Sequence, residues 1–180
     1  SMFQPLAPVL DLQGTGLSAR ALLKLLDVID EQQIRLHSLH IRRLGRTVAE
    51  FSWAPYRADE RHMLYSLSKS FTSTAIGFAV QEGLLDLDQT LMEFFGDRLP
   101  SPPCGQMPQV TLRHLLTMNT GHDPEPDIFE SEDPVRRFLE SYIPHAPGSF
   151  FRYNTAATFM LSAVLTERSG QTLTEYLTPR

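Results

Sequence analysis

Two rhythms of apolar and polar residues run along this chain. From Leu17 to Glu31, Leu22, Leu25, Leu26 and Ile29 recur on one side of a helical period, the stripe of an amphipathic helix. Ile34–Arg43 and Arg46–Phe51 then read as two strands of a hairpin turned at Leu44-Gly45. After the hairpin the pattern is helical almost to the end. The predicted helices cover Lys69–Val80, Thr90–Phe95, Leu112–Thr117, Pro134–Tyr142 and a long stretch from Thr155 to Arg168, stopped by Gly170. Pro100, Pro102 and Pro103 mark one loop, Pro124 and Pro126 another. Two strands are few for so many helices, and a lone hairpin is marginal without further strands beside it. The reading is therefore an α+β chain whose antiparallel sheet is incomplete.

The Lys69–Val80 helix is unlike the others. Phe71, Ala75, Ile76, Phe78, Ala79 and Val80 are apolar, and Ser70, Thr72, Ser73, Thr74 and Gly77 are small. No charge follows Lys69 in it, so the helix is expected to be central and buried. Gly83 is its C-terminal stop. Ser66 falls at the helix N-terminus, where free N–H groups and the helix dipole favour developing negative charge. Lys69 follows one turn later on the same face. Of the 16 Lys and Arg residues only Lys24 and Lys69 are lysines. An amine can lose its proton when desolvated, and a guanidinium cannot. With 14 serines and two lysines in 180 residues, Ser-x-x-Lys arises by chance only about 0.16 times. Two readings stand side by side. In one, Ser66 is a nucleophile activated by a lysine whose pKa burial depresses. In the other, Ser66 is an N-cap and Lys69 a lysine snorkelling from the helix end.

Leu64-Tyr65-Ser66-Leu67-Ser68-Lys69-Ser70-Phe71-Thr72 resembles the first active-site motif of the beta-lactamase-related serine hydrolases. That group comprises class C beta-lactamases, D-alanyl-D-alanine carboxypeptidases, penicillin-binding proteins and related esterases. Gln81-Glu82-Gly83-Leu84-Leu85-Asp86-Leu87-Asp88 resembles the family's helix exit, and Val110–His122 its T-x-x-x-L-L-T-x-x-S-G segment. Pro147-Gly148-Ser149-Phe150-Phe151-Arg152-Tyr153-Asn154-Thr155 is similar to the approach to its second motif, Tyr-x-Asn. The matches run from about Ile34 to Arg180.

The resemblance implies a beta-lactamase/transpeptidase-like fold, an antiparallel sheet flanked by helices plus a helical region. It implies Ser66 as the acylated nucleophile, Lys69 as its activator, and Tyr153 as general base or proton relay. By itself Tyr153 reads as an aromatic core residue beside Phe150 and Phe151. The resemblance also places Asn154 and Thr155 at the substrate, with no metal and no cofactor. Where the family has asparagine after Tyr-x, this chain has Thr155. A threonine hydroxyl cannot hold both contacts of an amide at once, which favours esters over beta-lactams. The family's third motif, Lys or His then Thr or Ser then Gly, has no match after Tyr153; Asn119-Thr120-Gly121 falls before it. Residues 1–180 are thus expected to be an incomplete domain lacking the C-terminal strands, inert alone. A C-terminal segment or a second chain is expected to cover its open sheet edge and the bare face of the Ser66 helix.

Composition narrows the alternatives. A net charge of −5 with scattered arginines gives no basic stripe for nucleic acid. One cysteine, Cys104, permits no intrachain disulfide. No apolar run is long enough for a membrane span, and no secretory signal is visible, which points to the cytoplasm. Gly14-Thr15-Gly16-Leu17-Ser18-Ala19 fits the dinucleotide fingerprint, with Arg42 and Arg43 available for a 2′-phosphate, but Pro8–Gln13 is too short and polar for the buried strand an NADP site requires. His37 and His40 are predicted to face opposite sides of a strand. His122–Asp127 reads as a solvated acidic loop rather than a cation site. No G-x-S-x-G occurs. The expected substrate is a small ester, a peptide or a beta-lactam. The competing reading within the same fold is a penicillin-binding sensor that acylates without turnover.

Overall fold

Ser18 opens the first helix by accepting the Ala21 N–H on its hydroxyl, and α1 runs from Ala19 to Glu31. In this computed structural model the described residues are 12, 14–99, 101 and 105–180. They form two compact units that divide between Met63 and Leu64. Pro100, Pro102, Pro103 and Cys104 lie outside the described residues, as does all of Pro8–Gln13 except Leu12.

In the first unit α1 ends in a turn at Gln33, whose φ is +51°, and the Ile34 N–H bonds back to Ile29 O at 2.9 Å. Ile34 therefore completes the helix C-terminus, and β1 begins at Ser38 instead of Ile34. β1 (Ser38–Arg43) pairs antiparallel with β2 (Arg46–Ser52). Leu44 and Gly45 turn the hairpin with φ of +51° and +75°, the left-handed pair that matches strand twist. A bulge lies between Ile41 and Arg42. His40 sits opposite Glu50, while His37, outside the strand, stacks on Tyr56 at 3.6 Å. The glycine loop before α1 is held by Arg43, whose guanidinium bonds the Thr15 carbonyl. Arg42 bonds Gly45 O at 3.0 Å. Both arginines that a 2′-phosphate would need are thus spent on their own loops.

The second unit is helical. A 3₁₀ turn, Tyr65–Leu67, runs directly into α2, Ser68–Gln81. α3 (Met92–Phe95), α4 (Leu112–Leu116), α5 (Pro134–Leu139), α6 (Thr155–Ser169) and α7 (Leu173–Leu177) follow. α6 is the hub: it packs against α2, α3, α4, α5 and α7. Ala156, Ala157, Met160, Val164 and Leu165 bury its inner face among Ala75, Ile76, Leu91, Phe95, Leu115 and Phe138. Small residues on both α2 and α6 allow the close approach. α5 stops at Leu139, short of the predicted Tyr142, and Ser141 folds back to bond Phe138 O at 2.5 Å. At the chain's end Tyr176 OH and the Arg180 guanidinium both grip Glu82, tying α7 to the exit of α2.

α2 is buried on one face only, not all round as its composition suggests. Thr72, Ala75, Ile76 and Ala79 are buried, whereas Ser70, Phe71, Ser73, Thr74 and Gly77 are exposed. The uncharged stretch after Lys69 therefore contains one packed face and one bare face.

Candidate active site

Ser66 occupies the 3₁₀ turn ahead of α2 and does not cap the helix: Leu67 is the N-cap residue and no side chain caps there. The Ser66 hydroxyl is free for other partners. Lys69, one turn on, brings its Nζ to 3.1 Å from Ser66 Oγ. The preceding residue, Tyr65, has φ of +46°, uncommon for a bulky side chain and a sign of local strain. That turn lifts Ser66 to the surface, where it is exposed.

The third member arrives from 87 residues away. Tyr153 OH lies 2.6 Å from Ser66 Oγ, and Lys69 Nζ sits 5.0 Å from the Tyr153 ring centroid. Hydrogen bonds to Ser66 and to Lys69, then the charge of Lys69, hold the Tyr153 phenol below its usual pKa. Tyr153 is 47% exposed, so it is no core residue beside Phe150 and Phe151. Ser66, Lys69 and Tyr153 form one connected group with the Ser66 hydroxyl at its centre.

The strand of chain that delivers Tyr153 lies along residues 118–121. Arg152 N–H bonds Met118 O at 3.0 Å, Gly148 N–H bonds Asn119 O at 2.8 Å, and His145 N–H bonds Gly121 O at 3.1 Å. Gly121 has φ of +94°, and a Cβ there would stand 2.2 Å from His145 O. Only glycine lets the two segments come this close.

Asn154 and Thr155 part company. Asn154 is fully buried and is the N-cap of α6, accepting the Ala157 N–H at 2.8 Å. Its amide nitrogen donates to Thr120 Oγ1 at 3.4 Å. Both ends of the amide are used within the fold. Thr155, in contrast, lines a shallow pocket of about 300 Å³ together with Tyr65, Lys69, Phe129 and Phe159. Hydroxyls on its rim are turned inward: Thr72 Oγ1 bonds Ser68 O and Ser162 Oγ bonds Phe159 O. Ser68, Thr155 and Thr158 also bring hydroxyls to the pocket, but methyl, methylene and aromatic surface makes up most of its wall beside Lys69.

The sequence reading of His122–Asp127 as a solvated acidic loop holds for Asp123–Asp127, where Asp123, Glu125 and Asp127 are exposed, and fails at His122. His122 is buried; its Nδ1 meets Thr120 Oγ1 and its Nε2 meets Ser141 Oγ, each at 2.8 Å. Burial pushes its pKa down to about 4, so it is neutral at physiological pH. Asp123 pairs with Arg152, and Glu125 Oε2 accepts the Thr155 N–H at 2.6 Å. A cap signal at Asn154, directly before an apolar helix, was available in the sequence. Nothing local marked Thr120 as its partner, or Asp123 and Glu125 as the partners of Arg152 and Thr155.

The fold and this arrangement place the chain in a known group. A family model named Beta-lactamase matches residues 20–180, and the chain belongs to that family. A beta-lactamase of Yersinia enterocolitica is 28% identical over 117 residues, 63% of this chain and 29% of that protein. Esterase EstB of Burkholderia gladioli is 26% identical over 199 residues, 93% of this chain and 50% of that protein. The class C beta-lactamase of Rhodobacter sphaeroides superposes with a TM-score of 0.64 at 22% identity, over 90% of this chain and 47% of its own. The fold is accordingly that of the beta-lactamases and transpeptidases, and the chain is a member of a family of hydrolases that includes esterases. It spans half or less of the length of these relatives.

Proposed function

We propose that the full-length protein is a serine hydrolase that forms an acyl-enzyme at Ser66 and prefers small esters to beta-lactams. The observation that carries the reading is a hydroxyl held at 3.1 Å from an ammonium and 2.6 Å from a phenol of lowered pKa. In the reactive state Tyr153 is a phenolate, kept so by Lys69, and accepts the Ser66 proton as Oγ attacks the ester carbonyl. The tetrahedral intermediate collapses by expelling the alcohol oxygen, which takes that proton back from Tyr153. The acyl group is left on Ser66. Water then attacks the acyl carbonyl, again giving its proton to Tyr153, and Ser66 leaves with a proton returned.

Ester preference is supported by Thr155 and by the pocket. A threonine offers one short hydroxyl where amide substrates need a donor and an acceptor together. The apolar surface of Phe129 and Phe159 beside Lys69 suits a hydrocarbon group. Intact-mass spectrometry of the full-length protein with a p-nitrophenyl ester and, separately, a fluorescent penicillin tests the reading. The expected result is a transient acyl adduct on Ser66 with ester turnover, absent in Ser66→Ala. A kcat/KM for nitrocefin above that for a short-chain ester would refute the preference.

A further inference from the structure

Tyr153 is half exposed, with the cation of Lys69 at 5.0 Å from its ring centroid. Yet its hydroxyl must stay within hydrogen-bond distance of Ser66. What fixes it is the backbone on either side. Before it, Arg152 is anchored by its N–H to Met118 O and by its guanidinium to Asp123. After it, the Thr155 N–H is anchored to Glu125. We propose that the acidic loop is a clamp, with Glu125 and Asp123 acting as positioning residues that hold Tyr153 on Ser66 by gripping the residues that flank it.

Glu125 is the stronger arm. The Thr155 N–H is the first of α6, a donor with no partner inside its own helix. A carboxylate there gains from the N–H and from the dipole of a 15-residue helix. Asn154 caps the same end from within, bonding Ala157 N–H at 2.8 Å. The two anchors leave the Tyr153 backbone little freedom to rotate away. Pro124 and Pro126 flank Glu125 and limit its own backbone. The Asp123 arm is an exposed ion pair and contributes less.

This inference rests on the acyl-transfer reading, and the test separates the two. In the full-length protein, kcat/KM for a p-nitrophenyl ester is compared in wild type, Glu125→Ala, Glu125→Gln, Tyr153→Phe and the Tyr153→Phe/Glu125→Ala double variant. A misplaced catalytic group costs about ten- to a hundredfold, so Glu125→Ala is expected to lose that much in kcat with KM nearly unchanged. Glu125→Gln keeps an acceptor for the Thr155 N–H and is expected to recover most of the loss. In the Tyr153→Phe background, Glu125→Ala is expected to cost nothing more, because the residue acts through the phenol. An equal loss from Glu125→Ala in both backgrounds would overturn the clamp and mark Glu125 as merely structural. Wild-type kcat in Glu125→Ala would overturn it as well. If Tyr153→Phe alone is fully active, the acyl-transfer reading itself fails.

Discussion

The two units of this chain bury their apolar residues to very different degrees. In the unit of α1 and the β1–β2 hairpin, Ile29 and Val48 are the buried apolar side chains among the described residues, while Leu23, Leu25 and Ile34 are exposed. In the helical unit Ile76, Phe95, Leu112, Ile128, Phe138, Met160 and Leu165 are all but inaccessible to water and form one continuous core. The lesson is that an amphipathic pattern promises a face to bury, not a partner to bury it. α1 has its apolar stripe, and the hairpin has two strands where a stable sheet needs three or more. The chemistry sits in the unit that is already packed. A serine hydroxyl that meets a phenol from 87 residues away needs a rigid support.

The largest effects that would test this contrast are catalytic. Ser66→Ala is expected to abolish ester turnover, with losses of up to about 10⁶-fold for a nucleophile, and Lys69→Ala to be nearly as damaging because Tyr153 loses the cation that favours its phenolate. Steady-state kinetics on the full-length protein measures both, and full activity in Lys69→Ala would remove Lys69 from that role. Next comes the core. Phe138→Ala should destabilise the helical unit by about 3–5 kcal/mol, against about 1–2 kcal/mol for Val48→Ala in the hairpin. Denaturant unfolding followed by amide exchange in each unit compares them. Equal losses would erase the difference between the units.

Acid should act on the helical unit specifically. His122 has a folded pKa of about 4 against an ordinary value of 6.5. A depressed histidine leaves its contribution intact above pH 6.5 and loses it as the pH falls towards 4. The loss amounts to about 3 kcal/mol, about 1.4 for each pH unit. Urea midpoints measured across that range should show the loss, and His122→Asn should flatten it. Activity should depend on Tyr153 in the same direction, at higher pH. On the proposed mechanism the phenolate is the working form, so kcat/KM should rise with pH to a plateau reached below the usual phenol range. The rising limb should vanish in Tyr153→Phe. The smallest effect belongs to Leu25→Ser on the exposed α1 stripe, expected within about 0.5 kcal/mol. A loss several times larger in the full-length protein would show that this stripe is covered there.

Much of the fold could be read from the chain. Helix periods placed α1, α2 and α6 to within a few residues, and the glycine stops of the last two are backbone signals: Gly83 and Gly170 both take positive φ. Leu44-Gly45 marked the hairpin for the same reason. Residues 34–37 misled because β-branched and apolar composition says strand, while the Ile34 N–H was already committed to closing α1. Burial of α2 misled because an uncharged face looks the same in sequence whether it is covered or bare. Ser66 and Lys69 were legible from three-residue spacing. Tyr153 was legible only through resemblance, since nothing in the pattern of residues 150–153 distinguishes a phenol over a serine from a packed ring. The supports were not legible at all: Thr120 and Glu125 act across 34 and 30 residues of sequence and His122 across 19, and hydrogen bonds of that range leave no periodic mark.

The buried polar path behind the site has a direction. Phe138 O can only accept, so Ser141 must donate to it; His122 Nε2 must then donate to Ser141, and its Nδ1 must accept from Thr120. Thr120, having given its proton, receives one from Asn154, whose oxygen receives the Ala157 N–H. Every arrow points one way, from the head of α6 to the end of α5. A proton added at His122 Nδ1 would remove the acceptor of the Thr120 hydroxyl, which would have to turn its hydrogen elsewhere in a buried site. The path therefore has one sense, set by which nitrogen of the buried His122 carries its proton.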